Sequence, residues 1–459
     1  MRTSTILCLI CSLALPACSD PPDESGEAGS TSDDDDGSSS DSGDVLQCPA
    51  QTGPGVRHAE NIDVDTVWRA EDGPHHVDAN IAIRSGATLE IEPCAIVRLA
   101  ADVELDVAFP GTPNSGHLVA EGTVERPIRF EPAGPAPWGR IFIAAPGDAR
   151  LAHLTLTGGG ATDPAGATIA AEGTGTLPLA QGLFVDHVTI EDSAGAGVSL
   201  MRKTAFAPGS TALVVRDCGS DAHPFPLELD EHALDSLPEG SYTGNAIDEI
   251  FVDPLDHLQV SGAIHDRGVP YRVGNASNDR LVVGGGDRIA PPVLLTIEPG
   301  VTLRFFPGTE FAVEFATGDF AATGALSAVG TAERPIVFTS AAEAPAPGDW
   351  VGLWFGGVVD PRTAIAHARI EYTGADCGCI LLSCSDIDAY EGAVIMTQAP
   401  PDAFVTDTVI AHAAGHGFVL GYEGAAVDFG VTNDFEDVAG CAMTLPRPGS
   451  CPDPLPACE

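Results

Sequence analysis

Several groups of residues have types and spacings that could do chemistry. Cys377-Gly378-Cys379 with Cys384 is tight enough for thiolate metal binding. A zinc or iron–sulfur site would need a second ligand pair at matched spacing. Gly415-His416-Gly417 places an imidazole between two turn glycines, where it could act as general acid or base. His153 and His367 each follow an alanine and precede an apolar alternation. Either could ligate a metal, but a site needs three or four converging ligands and the sequence offers one in each place. Arg98 and Arg304 hold equivalent strand positions, as do the aromatics Phe142 and Trp354. By period-2 alternation both rings point outward, where an exposed ring on a flat sheet could stack on sugar.

The chain around these residues is acidic: 66 Asp and Glu against 21 Lys and Arg, a formal net charge of −45 in 459 residues. Such a surface repels nucleic-acid phosphate and anionic lipid headgroups, so neither is an expected partner. Gly and Pro are frequent and Met is scarce, a composition that suits turn-rich β structure better than helix.

The first residues read as a targeting segment. Arg2 supplies a positive start, and Ile6 to Leu15 an apolar stretch too short for a membrane span of roughly 20 residues. Leu15-Pro16-Ala17-Cys18 resembles the bacterial lipobox, although Pro16 is not the commonest residue at its place. The resemblance implies cleavage after residue 17, lipidation of Cys18 and membrane attachment through that lipid, with Ser19 compatible with outer-membrane sorting. Ser19 to Gln47 contains Asp33-Asp34-Asp35-Asp36 and the run Ser38 to Ser42 and almost no apolar residue. It cannot bury enough surface to offset ordering entropy and is expected to be a disordered acidic tether.

Export fixes the reading of the cysteines. Of twelve, Cys8 and Cys11 leave with the leader and Cys18 carries lipid. In an oxidising compartment most of the remaining nine should form disulfides, and an odd count leaves at least one free or paired between chains. Cys48, Cys94, Cys377, Cys379, Cys384, Cys441, Cys451 and Cys458 are the expected disulfide cysteines, with the pairing open. The other of the nine is Cys218.

Beyond the tether the chain repeats itself. Leu89-Glu90-Ile91-Glu92-Pro93-Cys94 to Leu99 matches Leu295-Thr296-Ile297-Glu298-Pro299-Gly300 to Phe305. Gly122 to Phe130 matches Gly330 to Phe338, and Trp138 to Ile143 matches Trp350 to Phe355. Ala152-His153 matches Ala366-His367, and Ser193 to Leu200 matches Ala413 to Leu420. Five blocks in the same order indicate two tandem copies. Within each, short period-2 strands alternate with Gly, Pro, Asn or Asp turns, and no amphipathic helical window appears.

These blocks resemble those of bacterial right-handed parallel β-helix (pectate-lyase-like) proteins, with Cys94 standing where the first copy should have a Gly. The stretch His223 to Asp253, with Gly244-Asn245, looks like the coil that closes one such unit. The resemblance covers most of residues 63–435 and implies an all-β solenoid, and the period-2 alternation of the blocks puts Leu99, Phe130, Leu156, Phe305, Phe338 and Ile370 on its inward side. It does not imply an activity, because that fold hosts lyases, hydrolases, adhesins and scaffolds. A Gly-His-Gly triplet also marks polygalacturonases, but the Asn-Thr-Asp and Asp-Asp companions do not precede His416 in the second copy, and the first copy has Ala196 there. A pectate-lyase reading of Arg98 and Arg304 lacks the Asp cluster that would hold calcium.

The expected organisation is a lipoprotein leader (1–17), a lipidated Cys18 and acidic tether (18–47), two β-helical copies (48–257 and 258–440) and a Cys/Pro-rich cap (441–459). The expected function is a lipid-anchored scaffold of the outer membrane that binds at the cell surface, to a polysaccharide through Phe142 and Trp354 or to a surface protein. No catalytic set, metal site or cofactor is expected. The alternatives are an extracellular polysaccharide lyase or hydrolase and a purely structural envelope protein.

Overall fold

The computed structural model describes residues 48–109, 115–161, 166–284, 292–314, 322–377, 391–447 and Cys458. The leader, Cys18, the tether, Cys379, Cys384 and Cys451 lie outside the described residues. The chain from Leu46 onward forms one compact unit.

The fold is all-β. Short runs of Val, Ile, Leu and Phe alternate with polar residues and pair into curled parallel sheets, an arrangement consistent with a β-solenoid. A 13-stranded sheet runs from Ile81–Ile83 to Asp434–Glu436, its strands lying side by side in chain order. Between successive strands of that sheet the chain visits other sheets. In the first part this is a 12-stranded sheet. Later it is a 6-stranded sheet starting at His257–Leu258 and a 5-stranded sheet starting at Gly262–Ile264. Because neighbours pair in register, inward side chains of one rung fall on inward side chains of the next. They form a single apolar column from Ile62 to Met443. Leu99, Phe130, Leu156, Phe305, Phe338 and Ile370 are all fully buried in it, as expected.

The recurring blocks close the same local turns. Trp138 and Trp350 are fully buried, and each donates its indole N–H to a backbone carbonyl at 2.8 Å, that of Thr157 and of Glu371. Thr123 and Thr331 each accept, through Oγ1, the backbone N–H of the arginine three residues on.

The blocks do not, however, sit on the same faces. Ile96–Leu99 and Ile128–Pro132 belong to the 12-stranded sheet, whereas Thr302–Phe305 and Ile336–Ser340 belong to the 13-stranded one. Ile141–Ala144 and Ala196–Met201 lie in the 13-stranded sheet, and Leu353–Phe355 and His416–Leu420 in the 6-stranded one. The shift arises between Leu227 and Val273. There the 12-stranded sheet ends at Gly240–Ser241, and a 3-10 turn, Glu231–Ser236, lies beside its strand Thr204–Phe206. The 13-stranded sheet alone among the described sheets carries on, from Ile250–Asp253 to Tyr271–Val273. Sequence that repeats is thus displaced by one face around a stack that does not break.

Two disulfides fasten the ends: Cys48–Cys94 and Cys441–Cys458. Cys377 is also disulfide-bonded. Among the described residues the free thiol is Cys218, and it is buried. Cys94 occupies the left-handed turn that Gly300 fills in the matching block, with φ of 76° against 94°. A side chain there costs about 1–2 kcal/mol that glycine avoids, whereas a cross-link closing 46 residues contributes roughly 4 kcal/mol by the chain-entropy estimate.

Cys94→Ala and Cys94→Gly should therefore both destabilise the chain, but the glycine variant by about 1 kcal/mol less. Denaturant unfolding of the two variants side by side checks this, and equal losses would refute the account of the turn.

Candidate functional site

One outward column of the 13-stranded sheet can be followed rung by rung through the register: Phe142, Ala170, Ser199, Glu228, Phe251, Arg272, Arg304. At Ala170 and Ser199 the side chains are small, and from Glu228 onward they are large and polar or aromatic. The step leaves a cleft of about 670 Å³, within the roughly 300–1,000 Å³ usual for ligand pockets. The segment Asp221–Phe225, Ile247, Leu255 and Phe306 wall it.

Its polar groups are held in place. His223 Nδ1 lies 3.0 Å from Glu228 Oε2, and burial pushes the Glu228 carboxyl up while the His223 contact opposes the shift. Asp253, on the next rung and also lining the cleft, is likewise pushed up by burial, with Asp279 and Glu231 adding like-charge repulsion. Phe225 and Phe251 stack at 5.3 Å, and the Arg272 guanidinium lies 6.0 Å from Phe225 and 5.9 Å from Phe306. Arg272 and Arg304 share the buried Glu249, which fixes both side chains along the sheet. The cleft thus offers carboxyl groups for hydroxyl donors, the Arg272 guanidinium and the Asn275 amide for acceptors, and aromatic faces for apolar patches.

The residues singled out from sequence lie elsewhere or do other work. Phe142 and Trp354 do point away from the main core, but neither ring is exposed: they are 8 % and 5 % accessible. The Arg140 guanidinium covers Phe142 at 4.5 Å, with Ala144 and Ala170 against it. Trp354 packs in a second apolar cluster with Val282, Val351, Cys377, Ile395 and Val419. The alternation gives the direction of both rings, and the covering residues change what that direction means. Arg98 pairs with Glu131 at 2.7 Å on the 12-stranded sheet, far in sequence from the cleft. His416 accepts the backbone N–H of Cys441 at 2.8 Å through Nδ1, so it ties the C-terminal segment to the coil. His153 lies beside Asp186 and His187, a grouping that sequence spacing hides because the three come from adjacent rungs.

The cleft itself leaves a faint trace in the sequence. Its floor takes one residue per strand, tens of positions apart, which no local motif records. Part of its wall, His223 to Phe225 and Ile247, comes from the stretch His223 to Asp253, which lies outside the five recurring blocks.

Comparison with protein-family models, with curated proteins and with solved structures finds no match to this chain.

Asp106 stands next to Phe142 in the same column. Burial pushes its carboxyl from an ordinary 3.8 up to about 6, with Glu104 adding repulsion and Arg140 opposing it. A folded value above the unfolded one means the fold holds the proton. The resulting stability is fully present below the unfolded value and is lost as pH rises through about 6. Asp106→Asn should therefore stabilise the protein near pH 8 by about 1–2 kcal/mol, allowing for solvent screening, and change little near pH 4. Thermal melts at the two pH values test it; a gain at low pH alone would contradict the sign.

Proposed function

We propose that this chain is an exported, lipid-anchored binding protein of the outer membrane that holds a neutral polysaccharide in the cleft on its 13-stranded sheet. The observation that carries the reading is the cleft, in which hydrogen-bonding side chains alternate with aromatic rings. Glu172, Asp221, Glu228 and Asp253 line it against Arg272 and His223. That balance, on a chain of net charge −45, disfavours a polyanion such as a uronate polymer and suits a ligand rich in uncharged hydroxyls.

The surrounding organisation supports the same reading. The motif Leu15 to Cys18 supplies the anchor, and the acidic segment that follows supplies a spacer. Disulfides Cys48–Cys94 and Cys441–Cys458 fit an oxidising compartment. The five recurring blocks make the solenoid two tandem copies, and its coils are right-handed, as parallel crossover connections almost always are. A polysaccharide-cleaving activity is the second reading. It is favoured by Glu228 and Asp253, two carboxyls in one cleft that burial disposes to hold a proton.

An array of neutral oligosaccharides probed with the purified chain should find a ligand. Glu228→Gln, which keeps the side chain's shape, should weaken binding at least about tenfold, equivalent to about 1.4 kcal/mol. Arg98→Gln should leave it unchanged. Binding that ignores Glu228→Gln would displace the site from this cleft, and release of reducing ends from the bound sugar would establish the cleaving reading instead. The anchor is tested separately: Cys18→Ala should abolish labelling by a fatty-acid analogue and recovery in the membrane fraction, and unchanged labelling would refute it.

A further inference from the structure

The geometry points to a transition-metal site, of the kind that takes zinc, formed by His153, Asp186 and His187 on a corner of the solenoid away from the cleft. One ligand atom from each of the three lies within 4.8 Å of the others. The register produces this. On adjacent strands Ala152 pairs with Asp186 and Leu154 with Val188, so His153 and His187 face each other across the two rungs. Their rings stack at 4.7 Å with 20° between planes. Asp186 Oδ1 lies 2.6 Å from His187 Nδ1.

Both histidines hold left-handed backbone, φ 45° and 53°, where a side chain is disfavoured and glycine is the cheap choice. Here two imidazoles occupy successive corners. The neighbours on either side are small. The corner of the preceding rung begins at Gly122, whose added Cβ would meet the His153 carbonyl at 2.6 Å. The corner of the following rung is Ala212, also left-handed at φ 51°. The histidine pair is therefore not walled in by bulky side chains along the stack, and the His187 side chain is 59 % exposed, open to an ion from solution.

The donor set selects the ion class. Two imidazole nitrogens and one carboxylate suit zinc, nickel, cobalt or copper and not calcium or magnesium, which prefer all-oxygen shells. Bonds of about 2.0–2.1 Å require the three donors to draw closer together than they stand, a movement these partly exposed side chains can make by rotation. Three protein ligands leave a fourth position for water or for a donor from a bound molecule.

The protein contains its own control. The matching corner of the second half has Gly330, His367 and, on the next rung, Asp407, both of the latter left-handed at φ 48°. Thr406 stands where Asp186 stands, and Asp407 where His187 stands. No group of three ligands forms there among the described residues.

The test is calorimetric titration of the purified full chain with zinc ions at neutral pH, with cobalt absorption as an independent readout of the donor set. One equivalent should bind. His153→Asn and His187→Asn, which keep a residue tolerant of the left-handed corner, should each weaken binding at least tenfold and remove the cobalt bands. Asp186→Asn should weaken it too, and His367→Asn should not. Circular dichroism establishes that each variant is folded. Should the parent bind no zinc, or should zinc bind equally well to the His153 and His187 variants, the site does not exist. Zinc held by the acidic segment before Cys48 instead of by the histidines would bind every variant as it binds the parent, and that result refutes the site.

Discussion

Parallel pairing in register between successive rungs is the constraint from which the rest of this structure follows. A rung alone has only short strands and no way to satisfy the backbone groups that point along the stack or to cover its apolar side. Each rung therefore depends on the ones above and below for its hydrogen bonds, and a buried group left without one costs about 1–3 kcal/mol. In-register stacking also aligns like positions, so apolar residues meet apolar residues along the inside and the column from Ile62 to Met443 is continuous. The end rungs lack one neighbour, and disulfides are found there: Cys48–Cys94 near the start and Cys441–Cys458 at the close.

The same register dictates the corners. At several of the corners where the chain turns from one face to the next, a residue adopts left-handed backbone, and such residues on successive rungs stack into columns. Asp192 and Asp217 share one corner column, each at φ 55°. Tyr372, His412 and Asp437 share another, with His412 stacked on Tyr372 at 5.3 Å and 3.3 Å from Asp437. Asp and His tolerate this conformation better than branched residues do. A rule about backbone thus gathers imidazoles and carboxylates in lines on the surface. Polar chemistry at the corners arises from the geometry of turning, before any ligand selects it.

How much of this was legible in the sequence depends on whether a feature is local to a strand or set between rungs. Period-2 alternation is local, and it placed Leu99, Phe130, Leu156, Phe305, Phe338 and Ile370 correctly inside. At Cys94 the sequence showed only the correspondence with Gly300; the left-handed turn that both occupy is set by the backbone of the folded chain. Phe142 and Trp354 were half legible: alternation told their direction, but not that Arg140 would cover one or that residues as distant as Val282 and Val419 would enclose the other. The cleft and the grouping of His153 with His187 were not legible, since both depend on which residue of one rung stands over which residue of the next. That number is set by loop lengths, and the loops here are irregular.

The displaced face makes this limit specific. Since the recurring blocks lie one face apart in a stack that runs unbroken, matching residues enter different surroundings. Arg98 and Arg304 hold the same place in matching blocks. Arg98 sits on the 12-stranded sheet against Glu131, while Arg304 sits on the 13-stranded sheet, next to Arg272 and bound to Glu249. Only the second adjoins the rungs that floor the cleft. His153 and His367 likewise share a motif, yet the rung that follows brings His153 an Asp-His pair and His367 a Thr-Asp pair. A recurring block therefore carries its strand and its turn but not the neighbour across the rung. Once the phase has shifted, matching blocks share a strand pattern but sit on different surfaces, and a role found for a residue in one block gives no warrant for assigning it to its match in the other.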